Sequence, residues 1–458
     1  MRMPIAIQAA ASSSLDADRL SGRQKFLIGV SAFAQMIDFL DFFLISFVLT
    51  FIVKPWHLSV VQTTAILLSA GVGASLGSIV CGALADRIGR RPMFLASIFL
   101  FTACTGLLGL IPDGAWVLLT ALRFFVGFGA TGMYSVNIPL LQEYMPASKR
   151  GFASGLVATF IPVGVMLGSM IVATLGTTVG WRGLFGIGFG LGVILLGVGW
   201  IVPESPLWLA SRGLAERARR SFAWATGRAE VAFALQDLPA MAKRPDVRFM
   251  ELFQYPRKLI VSCAGVLGAQ VAYYGLTLWA PVLLVVVLKT TPSHAAFLLL
   301  FCNLADVLAR LTFARMSDRV GRRLIGILQG FAGSALLVLA SLSTDRFIGE
   351  ISVFWIMLMA TYFFVSGGFA VTVPYVGEIW PLRLRASGLG SAYGVGSLGK
   401  VIGPLGLGMM LGSSNVLSPA ATADAIVPAF CYLAAWGLLT GLVFLFLAEE
   451  TRGIDLSN

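Results

Sequence analysis

The sequence predicts an all-α polytopic membrane protein, with twelve transmembrane helices arranged as two pseudo-symmetric six-helix bundles. Three observations support this fold class. Hydrophobic residues make up 57% and charged residues 12% of the 458 residues, whereas a soluble domain has about 45–50% and about 25%. Twelve apolar segments reach the length of about 20 residues that a spanning helix needs. A short basic turn also occurs twice, once in each half of the chain.

The twelve apolar segments are expected to be helices because unpaired backbone groups are too costly in hydrocarbon. The predicted spans are 26–53, 60–85, 92–111, 115–145, 151–176, 182–202, 257–288, 293–316, 324–343, 350–376, 386–412 and 426–447. The predicted organisation is a tail (1–25), a bundle (26–202), a central loop (203–256), a second bundle (257–447) and a second tail (448–458). Residues 214–235 and 238–253 of the loop have the composition of short surface helices.

The basic residues alternate between the two sets of loops. One set, which includes both tails and the central loop, contains 26 Lys and Arg residues, and the other contains four. By the positive-inside rule, this asymmetry predicts that both termini are cytoplasmic, in an inner (plasma) membrane. It also explains the net charge of +11 without a nucleic-acid partner. The first 22 residues contain no hydrophobic region followed by a cleavage site, so no signal peptide is predicted.

Two loop motifs repeat at almost the same offset. The pattern D-R-x-G-R-R occurs at 86–91, between spans two and three, and again 232 positions later at 318–323. The pattern Glu, Pro and Arg at 143, 146 and 150 returns 235 positions later at 378, 381 and 385. This duplication predicts two related six-span halves, as in secondary transporters built from repeats.

These motifs resemble the major facilitator superfamily over about residues 25–450. The segment 123–130 is similar to its R-x-x-x-G-x-G-A motif of span four. The segment 203–209 resembles the P-E-S-P-R-W-L end of the sugar-porter-like branch, with Leu207 in place of the Arg. The resemblance implies the major facilitator fold and transport by alternating access, in which two bundles rock about a central site.

The first half contains three ionisable residues at membrane depth. Placing a charge there costs free energy, so such residues are the first candidates for a functional role. Asp38 and Asp41 are three positions apart and are expected on one side of span one, so at least one of them is predicted to carry a proton. Arg123 lies at a similar depth to Asp41 and is predicted to pair with it. Asp41 resembles the first-span Asp of proton-coupled sugar porters, which pairs with the span-four Arg. The segment 38–41 resembles the D-G-x-D pattern of aromatic-acid/proton symporters, with Phe39 in place of Gly. Alternatively, Asp38 only supports a hydrogen-bond network.

The second half contributes Asp306, Arg310 and Lys400. Asp306 and Arg310 are four positions apart on span eight and can neutralise each other on one helix face. Lys400 has no acidic residue in its own span, so it is predicted to anchor an anionic substrate near the midplane. The competing possibility is an ion pair between Lys400 and Asp306.

Aromatic and amide side chains are predicted to complete a substrate pocket. Those of span seven, in a Y-Y-G and W-x-P context that resembles carriers of nicotinate and other organic ions, are Gln270, Tyr273, Tyr274 and Trp279. Further candidates are Tyr134, Asn137, Asn303, Tyr375 and Tyr393. Each of these residues could instead serve packing or a helix contact.

Charged loop residues are expected to form a cytoplasmic gate, which the resemblance predicts to interlock when that side closes. In the first half they are Asp86, Arg87, Arg90, Glu143, Arg150 and Glu204. In the second half they are Asp318, Arg319, Arg322, Glu378 and Arg385. These charges could instead serve only topology and helix capping.

The sequence therefore predicts a proton-coupled symporter of a small organic anion, such as an aromatic or other carboxylic acid. It is expected to act as a monomer in the lipid bilayer, without enzymatic activity, cofactor or metal site. A sugar symporter is a rival function, although span five has no Gln. An exporter of small organic compounds and a non-transporting membrane sensor are two further rivals.

Overall fold

The computed structural model describes residues 20–146, 149–227, 249–381, 384–410 and 419–451. Within these ranges, nine helices are long and apolar enough to cross a membrane, and one of them extends over two predicted spans. The two remaining spans, ten and eleven, are each divided into two shorter helices. The structure is consistent with the twelve-helix fold that the sequence predicts.

The first half consists of six helices. They are α1 (Gly22–Ile52), α2 (Val60–Ile88), α3 (Arg90–Leu108), α4 (Trp116–Tyr144), α5 (Arg150–Ala158) and α6 (Phe160–Gly199). Helix α6 is bent at Gly180, whose backbone angles of 64° and −179° interrupt the helical conformation. Span five therefore comprises α5 and the first part of α6, and span six comprises the second part.

The connection between the halves contains short helices. They are α7 (Pro206–Ser211), α8 (Ala215–Thr226) and a 3₁₀ helix (Phe249–Gln254). The helix expected at 214–235 is therefore present in its first half. Most of the helix expected at 238–253 lies outside the described residues, and the part that is described forms the 3₁₀ turn.

The second half repeats this pattern with more interruptions. Its helices are α9 (Pro256–Val287), α10 (Pro292–Val320), α11 (Arg322–Ser341), α12 (Val353–Gly367), α13 (Phe369–Ile379), α14 (Arg385–Ser397), α15 (Gly399–Met410) and α16 (Pro419–Phe446). Spans seven, eight, nine and twelve are single helices. Span ten is divided at Gly368 and span eleven at Leu398. Strands β1 (Phe347–Ile348) and β2 (Ile351–Ser352) pair antiparallel between spans nine and ten, with Phe347 opposite Ser352.

The ends of the helices follow from local sequence. Ser21 and Ser59 begin spans one and two with capping boxes, in which the Gln three residues later bonds back to the Ser backbone. Gly89 and Gly321 end spans two and eight with φ angles of 115° and 111°. Because L side chains avoid this conformation, the glycine of the repeated motif is required for the sharp turn in both halves.

The helices of each half pack closely through glycines. A methyl group at Gly73 of span two would lie 1.9 Å from the carbonyl oxygen of Phe124 in span four, and one at Gly127 would lie 2.0 Å from that of Ala70. The halves meet where span one contacts span seven, span two contacts span eleven and span five contacts span eight. We call the end of the molecule with residues 86–91 and 317–323 the basic face, and the other end the opposite face.

Candidate functional site

The predicted pair between spans one and four is present in the interior of the first half. Arg123 Nη1 donates to Asp41 Oδ2 at 2.8 Å, and both side chains are 0% exposed. The guanidinium also donates to the backbone carbonyls of Asp41 and Phe42, at 3.1 and 3.0 Å. Thr105 Oγ1 donates to the other carboxylate oxygen of Asp41 at 3.2 Å. The pair therefore has both charge balance and several hydrogen bonds.

Asp38 and Lys400 belong to different halves and lie on opposite sides of the interface between them. Each is within electrostatic range of the other, and neither makes an ion pair or a side-chain hydrogen bond with the described residues. The ammonium of Lys400 instead lies 5.5 Å from the ring centre of Phe42 and 5.4 Å from that of Tyr274. Such cation–π contacts stabilise a cation without neutralising it.

The two aspartates of span one therefore have different surroundings. The sequence analysis expected both on one side of the helix, but positions three apart still differ in direction by about 60° on a helix of 3.6 residues per turn. Span one lies at the edge of its bundle. Asp41 consequently contacts Thr105 and Arg123 within the first half, whereas Asp38 interacts electrostatically with Lys400 of the other half.

The backbone around Lys400 holds this residue at the interface. Span eleven is interrupted at Leu398, two residues before Lys400. A methyl group at Gly71 of span two would lie 2.9 Å from the carbonyl oxygen of Lys400. One at Gly399 would lie 2.8 Å from the Cβ of Gln270 in span seven. Glycine on both sides thus lets span eleven approach both halves closely.

Aromatic rings from both halves form a wall beside Lys400. Tyr274 stacks on Phe43 with a centroid distance of 6.1 Å and meets Phe42 edge-on at 5.8 Å. Tyr273 meets Phe43 at 6.2 Å and Phe369 of span ten at 5.1 Å. The rings of spans one and seven therefore enclose the cation on its apolar side.

Two further tyrosines border open space near these charges. Tyr134 of span four is 44% exposed, yet it interacts electrostatically with Asp38 and Tyr274. Tyr393 of span eleven interacts with Tyr134 and Tyr274. We call the partly exposed site formed by Asp38, Tyr134, Tyr274, Tyr393 and Lys400 the central cleft.

Asp306 pairs with Arg310 rather than with Lys400. Arg310 Nε donates to Asp306 Oδ1 at 2.7 Å on the same helix. Ser366 of span ten donates to the same carboxylate and accepts from Arg310 Nη2 at 3.1 Å. Tyr273 contributes a long hydrogen bond of 3.4 Å to Asp306. The charge of Asp306 is thus neutralised within span eight, and Lys400 is left without Asp306 as a partner.

The remaining pocket candidates make helix contacts. Asn137 exchanges hydrogen bonds with Ser31 of span one, at 2.8 and 3.3 Å. Trp279 is fully buried and donates to the carbonyl of Pro404 at 3.2 Å. Asn137 and Trp279 therefore each join two helices through a side-chain hydrogen bond. Gln270 is buried between spans seven and eleven, beside Gly396 and Gly399.

Asn303 and Tyr375 lie away from the central cleft. Asn303 Nδ2 donates to Ser169 Oγ at 2.7 Å, which joins span eight to span five of the other half. Tyr375 is buried at the basic face, where its hydroxyl accepts from the backbone of Glu449 at 3.1 Å. Tyr375 is therefore placed too far along span ten to line the cleft.

The charged residues of the first half form a network at the basic face. Arg90 pairs with Glu143 at 2.5 Å. Glu204 accepts from the backbone N–H groups of Arg90 and Arg91, at 2.9 and 3.1 Å, and so caps span three. Asp86 and Arg87 have exposed side chains. Their backbone carbonyls accept from Arg212 of the central connection.

The second half repeats this network, with one member that the sequence analysis missed. Arg322 pairs with Glu378 at 2.5 Å. Glu450 accepts from the backbone N–H groups of Arg322 and Arg323, at 2.9 and 3.1 Å, which is the role of Glu204 in the first half. Glu450 could have been found from the sequence. It follows the sixth span of its half, as Glu204 does in the first half, and it precedes Thr451.

Three gate candidates, Arg150, Asp318 and Arg385, have side chains outside the described residues, and Arg319 is exposed. The described ion pairs of the gate, those of Arg90 and Arg322, each join partners within one half. Contacts between the halves instead lie from the level of Lys400 toward the opposite face, as between Thr64 and Gly408. The ion pairs Arg90–Glu143 and Arg322–Glu378 of the basic face thus each lie within one half and do not join the two halves.

The described part of the chain contains no group of three or more His, Cys, Asp or Glu side chains arranged to hold a metal ion. The polar chemistry of these residues lies in the buried pairs, the unpaired charges of the central cleft and the networks at the basic face. Such a site can bind and release ions and small polar molecules.

Comparisons with known proteins show to which family the chain belongs. The model of the sugar (and other) transporter family matches residues 19–458. The niacin transporter NiaP of Acinetobacter baylyi is 27% identical over 438 residues, which cover 94% of this chain and 95% of the relative. The cis,cis-muconate transport protein of the same organism is 26% identical over 386 residues, covering 84% and 86%.

Solved structures share the fold. The partially occluded, inward-open structure of the xylose transporter XylE from E. coli has a TM-score of 0.72 at 19% identity, and the match covers 95% of this chain and all of that one. The inward-open structure of the same transporter has a TM-score of 0.71. The family model, the relatives and the fold together show a secondary transporter of small organic compounds rather than an enzyme. The chain belongs to the sugar (and other) transporter family, within the major facilitator superfamily.

Proposed function

We propose that this transporter is a proton-coupled symporter of a small organic anion, an aromatic or other carboxylic acid. The observation that carries the proposal is the ammonium of Lys400, which lies in the central cleft against Phe42 and Tyr274. It makes no ion pair with the described residues. A cation at membrane depth without a bound counterion suits a carboxylate substrate, and the surrounding rings suit a flat or apolar substrate body.

The proton path is proposed to use the aspartates of span one. Asp41 is held as the anion by Arg123 while the pair is intact. If span one shifts against span four during the transport cycle and the pair separates, a buried carboxylate without its partner binds a proton more readily. Proton binding at Asp41 would thus depend on the conformation of the transporter, as coupling requires.

Two of the relatives support a carboxylate substrate. Niacin and cis,cis-muconate, for which two of the relatives are named, are both carboxylates at neutral pH. We further propose that the basic face is cytoplasmic, because it carries the excess of Lys and Arg. Since the described contacts between the halves lie on the other side of the cleft, this orientation corresponds to a state open to the cytoplasm.

The test is uptake of labelled nicotinate, benzoate and cis,cis-muconate into proteoliposomes with and without an inward proton gradient. We expect at least one to accumulate only with the gradient. Lys400→Gln should abolish uptake and counterflow, whereas Asp41→Asn should lose accumulation. The control is Asp113→Asn, which changes an exposed loop carboxylate paired with Arg182. Accumulation of a carboxylate that is unaffected by the gradient and by Asp41→Asn would refute proton coupling, and normal uptake by Lys400→Gln would refute the anion site.

A further inference from the structure

We infer that Lys400 is shared between Asp38 and the carboxylate of the substrate, so that the arriving anion displaces Asp38 and Asp38 then binds a proton. This inference rests on the proposed function and specifies how the anion and the proton are linked at one site. It assigns the substrate-linked proton to Asp38, while Asp41 remains with Arg123 during binding.

The geometry separates the two aspartates clearly. Asp41 is fully buried and has an ion pair at 2.8 Å and a hydrogen bond from Thr105. Asp38 is 7% exposed, lies at the cleft and has neither kind of contact with the described residues. Its largest favourable electrostatic partner is Lys400 of the other half. Asp38 can therefore lose its partner without disturbing a hydrogen-bonded network.

The charged and titratable groups that face Asp38 come from four spans. Lys400 approaches from span eleven, and Tyr274 and Tyr134 approach from spans seven and four. Asp41 lies on span one with Asp38 itself. Of these described groups, Lys400 is the one cation. The charge state of Asp38 therefore depends on whether the ammonium of Lys400 remains available to it.

The position of the ammonium allows such an exchange. Its contacts with Phe42 and Tyr274 place it 5.5 and 5.4 Å from the two ring centres, and Phe42 is one helical turn from Asp38 on the same face. A carboxylate that enters the cleft beside the rings would contact the ammonium directly. Asp38 would then face an added negative charge in place of a free positive one, which favours its neutral form.

The charges balance through this step. Before binding, Lys400 and Asp38 sum to zero. After binding, the ammonium, the substrate anion and the neutral Asp38 again sum to zero, with one proton taken from solution. The loaded and empty sites therefore carry the same net charge, and each anion that enters brings one proton with it.

The experiment measures proton uptake during binding by the purified full-length protein. Nicotinate, benzoate and cis,cis-muconate are first screened by thermal shift. The anion that binds most tightly is then titrated by calorimetry at pH 8, where the free carboxyl of Asp38 is mostly ionised, in phosphate and in Tris. The two buffers differ in ionisation enthalpy, and the difference between the measured binding enthalpies reports the number of protons exchanged. Wild type and the control Asp113→Asn, which changes an exposed loop carboxylate, should take up about one proton per anion, whereas Asp38→Asn should bind the anion without proton uptake. Asp38→Glu should restore uptake.

The pH dependence separates this role from a structural one. At pH values above the pKa of Asp38, the Kd of wild type for the anion should rise about tenfold per pH unit, because one proton is linked to binding. The Kd of Asp38→Asn should stay constant, so this variant should bind more tightly than wild type at alkaline pH. A purely structural role would weaken binding at every pH. Asp38→Ser serves for the same measurement if the Asn variant does not fold.

Two distinct failures are recognisable. If wild type binds an anion without proton uptake, or if Asp38→Asn retains the uptake, the shared-lysine inference is wrong while the proposed transport of anions stands. If none of the three anions binds or is transported, the proposed function itself fails.

Discussion

Removal of one member of the Asp41–Arg123 pair should destabilise the protein more than removal of both. The two charges are 2.8 Å apart and fully buried, so their gross attraction is about 6 kcal/mol at an effective dielectric constant of about 20. Desolvation offsets much of this energy. A single substitution that leaves the other charge buried and unpaired nevertheless costs about 3–5 kcal/mol.

The structure supplies a matched control for this measurement. Arg182 and Asp113 are 2.9 Å apart, almost the same distance, but their side chains are 44% and 68% exposed. An exposed pair of this kind contributes about 0–1 kcal/mol. Burial is thus the variable that differs between the two pairs, although the chemical groups and the distance are nearly alike.

The assay is a double-mutant cycle on unfolding by sodium dodecyl sulfate in mixed micelles, followed by circular dichroism. Asp41→Asn and Arg123→Gln are measured singly and together, as are Asp113→Asn and Arg182→Gln. We expect a coupling energy of about 2 kcal/mol or more for the buried pair and less than about 1 kcal/mol for the exposed pair. Equal coupling energies in the two cycles would show that the charge of Asp41 is not held by Arg123.

Three further predictions follow from packing and hydrogen bonds. Gly73→Ala places a methyl group 1.9 Å from a backbone oxygen of span four and should lower the free energy of unfolding in detergent by about 1–3 kcal/mol. Gly82→Ala, whose methyl group would have nothing within 4 Å, should change this free energy little. Glu450→Gln should lower stability by about 0.5–2 kcal/mol in the same assay, because it weakens a charged helix cap. Asn303→Ala should speed hydrogen exchange in the loops of the opposite face, whereas Asn137→Ala, which removes a bond within one half, should not.

Each of these predictions has a contrary outcome. Equal stability of the two alanine variants would mean that spans two and four are not in close contact at Gly73. A Glu450→Gln variant as stable as wild type would remove the basis for comparing Glu450 with Glu204. Similar exchange after Asn303→Ala and Asn137→Ala would show that the bond to Ser169 does not hold the two halves together.

The sequence was sufficient for features that depend on length, periodicity and depth. Apolar runs located the spans, because hydrocarbon thickness fixes their length. The Asp41–Arg123 pair could be predicted since both residues lie at similar distances from the ends of their helices. The repeat of motifs likewise indicated which ends of the helices would carry equivalent networks.

Other features depended on directions that the sequence does not specify. The different surroundings of Asp38 and Asp41 follow from the rotation of span one about its axis, which is set by its packing against two bundles. The choice of Arg310 as the partner of Asp306 depended on how spans eight and eleven are placed. Tyr375 was assigned to the pocket because its depth along the interrupted span ten was not known.

The interruptions of the helices have a mechanical consequence. Spans two and four of the first half fit together at Gly73 and Gly127 without room for a methyl group, so they resist sliding past each other. At Gly368 and Leu398 the backbone hydrogen bonds of spans ten and eleven become tighter, as in a 3₁₀ turn, although both residues keep helical backbone angles. Bending is easiest at such turns. The second of these turns is two residues from Lys400, so any change in the direction of the helix at that point would displace the cation itself.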